Sequence, residues 1–325
     1  MEANPLQVIT IENNNNMSLT IINFGATITN LWIPDKNGKR VDVIVGLVTP
    51  EAYTNESYLK KNLYLGASIG RYAGRISKGG FKIKENEYKI PHENGVHLHG
   101  GNGFDKKYWI VEKVEENAVL LSYQSQDLEE GYPGNVKVSV KYTLTNANEL
   151  MIEYKAQTDA PTPVNLTSHA YFNLAGKDTV LNHELLINSH QYLEVDMQLV
   201  PTGQLIDTID TVYDRSQKMK LKENNFNGFD TTFILNNEKI NAVLYAPESG
   251  IELKIITNQP ALVVYTPKQF PEAPFTSNFS QTTFPAICFE AQNYPDAPNN
   301  SHFPNAILRP NETYLNTTIF QFSIR

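Results

Sequence analysis

The chain has 325 residues and a globular composition, since 41% of the residues are hydrophobic and 19% are charged. Its net charge of −8 comes without a basic cluster, which argues against nucleic acid and anionic membrane surfaces as partners because both attract grouped Lys and Arg. The single cysteine, Cys288, excludes an intramolecular disulfide and fits a reducing compartment, so we expect a cytoplasmic protein. We find no signal peptide at the start, and no apolar stretch approaches the roughly 18 residues that span a bilayer.

Apolar and polar residues alternate with a period of two along the whole chain, which predicts strands throughout. The predicted strands cover residues 19–24, 31–33, 41–45, 81–84, 88–90, 136–144, 150–154, 251–256, 262–265, 286–289 and 319–324. Between the second and third of these, Asn37 and Gly38 predict a tight turn built on positive φ angles. No window of about 12 residues shows a helical stripe, so helix should be scarce.

The organisation of the chain predicts an all-β fold in one domain over residues 1–325. No linker rich in Ser, Pro or Gly divides it, and no repeat of fixed period is present. Many antiparallel strands in a chain of this length imply two large stacked sheets, with a ligand cleft in the concave face of one of them.

A polar cluster around His169, in segment 164–176, is the first candidate site. Its β-branched start and Gly end predict a strand that runs into a loop, which is where a rigid sheet places functional groups. A histidine that is merely hydrogen-bonded in the core explains His169 equally well at this point.

Histidines and arginines mark two further candidates. His97 and His99 are two residues apart, and residues at this spacing in a strand share a face, so both could point into one cleft. Arg71 and Arg75 flank a small pair, and their guanidinium groups suit hydroxyls and carboxylates, although solvated charges at strand ends are the simpler explanation.

Two carboxylates complete the set of candidates. Glu290 follows the apolar strand 286–289, and a carboxylate there costs free energy unless it is paired or used. Asp230 lies in segment 228–233, where an Asx turn is a strong alternative explanation.

Two kinds of chemistry fit this combination of imidazoles and a carboxylate. Three histidines and a glutamate satisfy the ligand count of a zinc or non-heme iron site. A carboxylate facing an imidazole across a small polar substrate would instead perform metal-free acid/base catalysis. The residue pattern alone leaves both open.

Several motifs, in this order, resemble those of the aldose 1-epimerases, also called galactose mutarotases. The matching positions span nearly the whole chain and are residues 23–26, 70–76, 98–101, 103–105, 109, 130–134, 165–176, 228–230, 289–290, 292 and 310–314. The resemblance implies a large antiparallel β-sandwich of the galactose mutarotase-like supersandwich type. It also implies interconversion of the α and β anomers of free aldohexoses, typically galactose and glucose, without an organic cofactor or a metal.

The resemblance also implies roles for individual residues. Glu290 matches the general base that removes the proton of the anomeric hydroxyl, and His169 matches the general acid that protonates the ring oxygen. Four more residues match positions that hold the sugar, namely Arg75, His99, Tyr171 and Asp230. We therefore expect a bell-shaped pH dependence, with Glu290 ionised and His169 protonated, and a separation of about one sugar ring between them.

The chain departs from the family pattern at Gly74 and Ser168, where Asn is common, at Thr231, where His is frequent, and at Val263, where many members have Gln. These departures bear on hydroxyl specificity rather than on the acid and base. The alternatives are an epimerase for a different or substituted sugar and a non-catalytic carbohydrate-binding module. Retention of both His169 and Glu290 argues against the binding module, and no basic cluster favours a phosphosugar.

Overall fold

A computed structural model describes residues 5–236 and 238–325, and strands dominate both ranges. The strands of the first half are β1 (Val8–Glu12), β2 (Ser18–Ile22), β3 (Thr27–Pro34), β4 (Arg40–Asp42), β5 (Ser68–Ile69), β6 (Arg75–Ile76), β7 (Gly80–Ile83), β8 (Asn86–Lys89), β9 (His97–Leu98), β10 (Ile110–Val114), β11 (Ala118–Ser125), β12 (Val136–Thr145), β13 (Glu149–Thr158) and β14 (Thr162–Pro163). Those of the second half are β15 (Thr167–Ser168), β16 (Tyr171–Phe172), β17 (Glu184–Ile187), β18 (Gln191–Val195), β19 (Pro201–Asp207), β20 (Met219–Lys220), β21 (Asp230–Ile234), β22 (Ala242–Ala246), β23 (Ile251–Thr257), β24 (Ala261–Tyr265), β25 (Ile287–Gln292), β26 (Ile307–Leu308) and β27 (Tyr314–Ile324).

Helix is scarce, as the sequence predicts. Within the described ranges there is a single α-helix, α1 (Glu56–Leu59), which is one turn long. Short 3-10 segments cover Pro50–Thr54, Phe104–Lys106, Glu129–Gly131, Val180–Asn182, Phe279–Gln281 and Ala297–Asn299.

Two large antiparallel sheets form the body of the fold. One has nine strands in the order β10-β11-β12-β13-β27-β23-β22-β17-β20, and the other has six in the order β16-β25-β24-β21-β18-β19. Their apolar faces share one core, in which the rings of Phe172 and Phe320 lie 5.0 Å apart. The predicted all-β sandwich is therefore confirmed.

Two local predictions need correction. The predicted turn between β3 and β4 forms, and Gly38 N–H closes it by donating a hydrogen bond to the Asp35 carbonyl. Of the two residues predicted to have positive φ angles, Asn37 and Gly38, only Gly38 has one, 78°. Strand β25 does not end before Glu290 but continues to Gln292. All six of its residues are buried, and its pairing with β24 continues from Cys288 to Gln292, whereas β16 pairs only with Ile287 and Cys288.

A single cluster of buried apolar side chains reaches from Ile9, near the start of the described residues, to Phe322, near their end. This continuity supports our proposal that the chain is one domain. None of the helices in residues 5–236 and 238–325 has the length and apolar character needed to cross a membrane.

Candidate active site

A cavity of about 280 Å³ opens over the face of the six-stranded sheet. Cross-strand pairing assembles its floor, because residues paired across antiparallel strands point to the same side. Val263 pairs with Glu290, and Tyr265 pairs with both Asp230 and Cys288. Residues far apart in the chain thus become neighbours on one surface.

His169 lies between the two short strands β15 and β16 and is 4% exposed. Its backbone is fixed on both sides, since its N–H donates to the Ala67 carbonyl at 2.9 Å and its carbonyl accepts from Gly66 N–H at 3.0 Å. The ring points Nε2 at Oε1 of Glu290, 3.5 Å away, and Nδ1 at the Cys288 thiol, 3.6 Å away. The structure thus brings together His169 and Glu290, the two residues that the family resemblance assigns to one site.

The charge state of this pair differs from the expected one. Burial raises the pKa of Glu290 to about 8, helped by the nearby Asp230 carboxylate and opposed by Arg75. Burial also lowers the pKa of His169 to about 4. Both shifts favour the uncharged forms, so burial opposes the expected ion pair and favours a single proton held on the carboxyl group.

The two groups are also closer than predicted. We expected them a sugar ring apart, whereas the 3.5 Å between His169 Nε2 and Glu290 Oε1 is direct contact. The shorter distance suits the chemistry, because the ring oxygen and the anomeric hydroxyl oxygen of a sugar are bonded to the same carbon. An acid and a base that act on these two oxygens can therefore be neighbours.

His99 joins this pair, but His97 does not. The chain leaves β9 at Leu98, and His99 adopts a positive φ of 52°, so the rule that residues two apart share a strand face does not apply. His97 is buried elsewhere, with Nδ1 against the Pro91 carbonyl and its ring against Tyr132. Of the two histidines that the spacing could bring into one cleft, only His99 therefore enters the cavity.

The hydrogen bond of His99 also bears on the metal interpretation. His99, His169 and Glu290 offer ligand atoms within 4.8 Å of one another. However, Nδ1 of His99 accepts the backbone N–H of Gly74 at 3.2 Å, so in the neutral ring the proton must be on Nε2. A metal-binding histidine normally has an acceptor at its other nitrogen. His99 is therefore arranged to donate a hydrogen bond into the cavity.

Arg75 of β6 and Asp230 of β21 both line the cavity and form an ion pair. Their side chains are 3.5 Å apart and remain 22% and 35% exposed, so both keep hydrogen-bonding capacity for a ligand. Arg71 points away, because its buried guanidinium donates to the carbonyls of Pro133 and Gly134. Tyr171 lines the cavity and packs against His169 with 5.0 Å between ring centres.

The four departures from the family pattern separate into two groups. Gly74 and Val263 line the cavity. Ser168 and Thr231 are buried outside its lining, and Thr231 pairs with Val264 of the core. Only the first two can therefore touch a bound molecule directly, which narrows our expectation that all four affect specificity.

Sequence reasoning missed several cavity residues. One is Tyr64, whose ring contacts both His99 and His169. Others form an apolar wall, made of Leu63, Val195, Leu199 and Pro201. The segments that carry them show no reactive side chain in a motif, so no signal in the sequence singled them out.

Comparison with known proteins gives one consistent family. Residues 7–321 match the family model described as aldose 1-epimerase. The galactose mutarotase of Bos taurus is 40% identical over 322 residues, covering 95% of this chain and 92% of its own length. The aldose 1-epimerase of Escherichia coli K12 is 33% identical over 338 residues, covering 99% of this chain and 96% of its own.

Solved structures agree with these sequence relatives. The GalM/aldose epimerase homologue from C. elegans superposes with a TM-score of 0.91 at 30% identity, covering 98% of this chain and 99% of its own. The galactose 1-epimerase from Lactobacillus acidophilus NCFM gives a TM-score of 0.87 at 29% identity, covering 100% and 96%.

Proposed function

The chain belongs to the aldose 1-epimerase family, and from that premise we propose that it interconverts the α and β anomers of free aldohexoses such as galactose and glucose. The observation that carries the proposal is the contact between His169 Nε2 and Glu290 Oε1 on the cavity floor. The partner of the protein is then a small monosaccharide.

Ring opening requires the hydroxyl at C1 to lose a proton and the ring oxygen to gain one. Glu290, as carboxylate, removes the proton from the hydroxyl at C1, and His169, as imidazolium, protonates the ring oxygen as the bond between C1 and that oxygen breaks. The product is the open-chain aldehyde. Rotation about the bond from C1 to C2 presents the other face of the carbonyl, and closure with the two roles reversed gives the other anomer.

The protonation state of the pair is compatible with this scheme. The neutral pair and the ion pair contain the same single proton, so the active form arises by transfer of that proton from Glu290 to His169. A carboxyl with a pKa of about 8 is also a stronger base than an ordinary glutamate. The scheme consists only of proton transfers and uses no cofactor.

The remaining site residues are proposed to hold the sugar. Nε2–H of His99 donates to a sugar oxygen, while Arg75 and Asp230 offer donors and acceptors to hydroxyl groups. Tyr171 supports the His169 ring and forms part of the sugar site. We also propose a cytoplasmic location, supported by the single cysteine, Cys288, which is buried and unpaired.

Polarimetry tests the function directly. Freshly dissolved α-galactose and α-glucose should approach their equilibrium rotation faster in the presence of the protein, and the acceleration should be lost with His169→Gln. A panel of xylose, arabinose and hexose phosphates ranks the substrates. Binding of sugars without acceleration of any anomeric interconversion would instead identify a carbohydrate-binding module.

A further inference from the structure

Tyr64 stands out among the cavity residues because it contacts both imidazoles. Its ring centre lies 4.8 Å from that of His99, at an interplanar angle of 65°, and 5.6 Å from that of His169, at 31°. The two imidazoles are 5.4 Å apart. The three rings therefore form one packed group, and Tyr64 covers part of each imidazole.

The backbone beside Tyr64 is tied to His169 as well. Gly66 N–H donates to the His169 carbonyl, and the Ala67 carbonyl accepts from His169 N–H. Tyr64 itself has a φ of 54°, uncommon for a residue other than glycine, and its carbonyl accepts from Ala67 N–H at 3.0 Å. One short segment thus holds the His169 backbone through hydrogen bonds and its ring through Tyr64.

We propose that Tyr64 is a positioning residue, whose ring fixes the imidazoles of His99 and His169 and keeps water away from them. The activity part of this inference rests on the proposed function. The physical basis is that an imidazole that loses one of the aromatic rings packed against it gains rotational freedom and hydration, and hydration favours its charged form. The hydroxyl of Tyr64 is not required for this role.

Two substitutions separate the ring from the hydroxyl. Tyr64→Phe keeps the ring and should leave kcat within about threefold of the parent protein. Tyr64→Leu removes the ring and should lower kcat by about tenfold or more, with a smaller effect on KM, because misplacement of a catalytic group slows the chemical step. Tyr245→Leu, in β22 of the other sheet, is the matched control and should change neither parameter.

A measurement that does not depend on activity completes the test. NMR titration of the histidine ring nitrogens, with the His169 signal assigned from its loss in His169→Gln, reports protonation directly. In Tyr64→Leu the pKa of His169 should rise from about 4 toward its ordinary value of about 6.5, while Tyr64→Phe should leave it unchanged. Circular dichroism and thermal unfolding establish that each variant is folded.

The outcomes distinguish this inference from the proposed function. An unchanged His169 titration in folded Tyr64→Leu would overturn the inference, even if activity fell. A shifted titration in a protein that never accelerates mutarotation would support the inference and refute the proposed function. If Tyr64→Leu does not fold, Tyr64→Met, an unbranched replacement that also lacks the ring, is titrated instead: a raised pKa of His169 supports the inference, and an unchanged pKa overturns it.

Discussion

Replacing Glu290 with glutamine should stabilise the protein, and the gain should grow with pH. The carboxyl is 2% exposed, and its Oε2 atom has no hydrogen-bond partner among the described residues. Its pKa is about 8 in the folded protein, compared with an ordinary value of 4.5. Below pH 4.5 both the folded and the unfolded chain carry the proton, so Glu290 has no electrostatic cost there.

The electrostatic cost of burying Glu290 appears as the pH rises from 4.5 to about 8. Between pH 4.5 and about 8 the unfolded chain loses the proton while the folded chain retains it, so the free energy of unfolding falls. The loss is complete above pH 8 and is on the order of 5 kcal/mol for a difference of this size. Glutamine has nearly the same shape and does not ionise, so Glu290→Gln removes the cost.

Urea unfolding at pH 5 and pH 9 measures the effect. We expect the free energy of unfolding of Glu290→Gln to exceed that of the parent protein by little at pH 5 and by several kcal/mol at pH 9. Glu85→Gln, at an exposed position of the turn between β7 and β8, is the control and should show no such pH dependence. A stability difference for Glu290→Gln that stays constant or shrinks with pH would refute the reasoning.

Three other predictions follow from the same site. With the uncatalysed rate subtracted, kcat/KM for mutarotation should show a bell-shaped dependence on pH. The reason is that His169 and Glu290 together hold one proton only between about pH 4 and about pH 8. A kcat/KM that stays constant across both limits would contradict the shared-proton account. Asp230→Asn should raise KM by about tenfold with a smaller change in kcat, since this group contacts Arg75 and is proposed to hold the sugar away from the reacting atoms, and steady-state kinetics would show the split. Dialysis against a chelator should leave activity unchanged, whereas stoichiometric metal whose removal abolishes activity would contradict the hydrogen-bond assignment at His99.

The fold was largely predictable because alternation of apolar residues reports directly on strands with one buried face. Strands such as β12 and β24 appear almost where the pattern predicts them. The pattern failed at β25, where all six residues are buried and a polar residue no longer marks the strand's end. Burial on both faces removes the alternation on which the prediction depends.

The proximity of His169 and Glu290, our proposed catalytic pair, was predictable only through the family resemblance, since 121 positions separate the two residues and nothing local links them. His97 shows the limit of local rules, because a single positive φ at His99 breaks the strand geometry that the spacing suggested. Tyr64 was not predictable, because its role comes from contacts between distant segments. The charge state of the pair was likewise hidden, as burial depends on the whole fold.

A double-mutant cycle on His169 and Glu290 tests the central claim most directly. Polarimetry of α-galactose would give kcat for the parent protein, His169→Gln, Glu290→Gln and the double variant, each shown to be folded. Because one proton serves both groups, each single substitution should lower kcat by about 10²-fold to 10⁴-fold, and the double variant should be little slower than the slower single variant. Wild-type activity in either single variant, or losses that multiply in the double variant, would contradict an acid/base pair that acts as one unit.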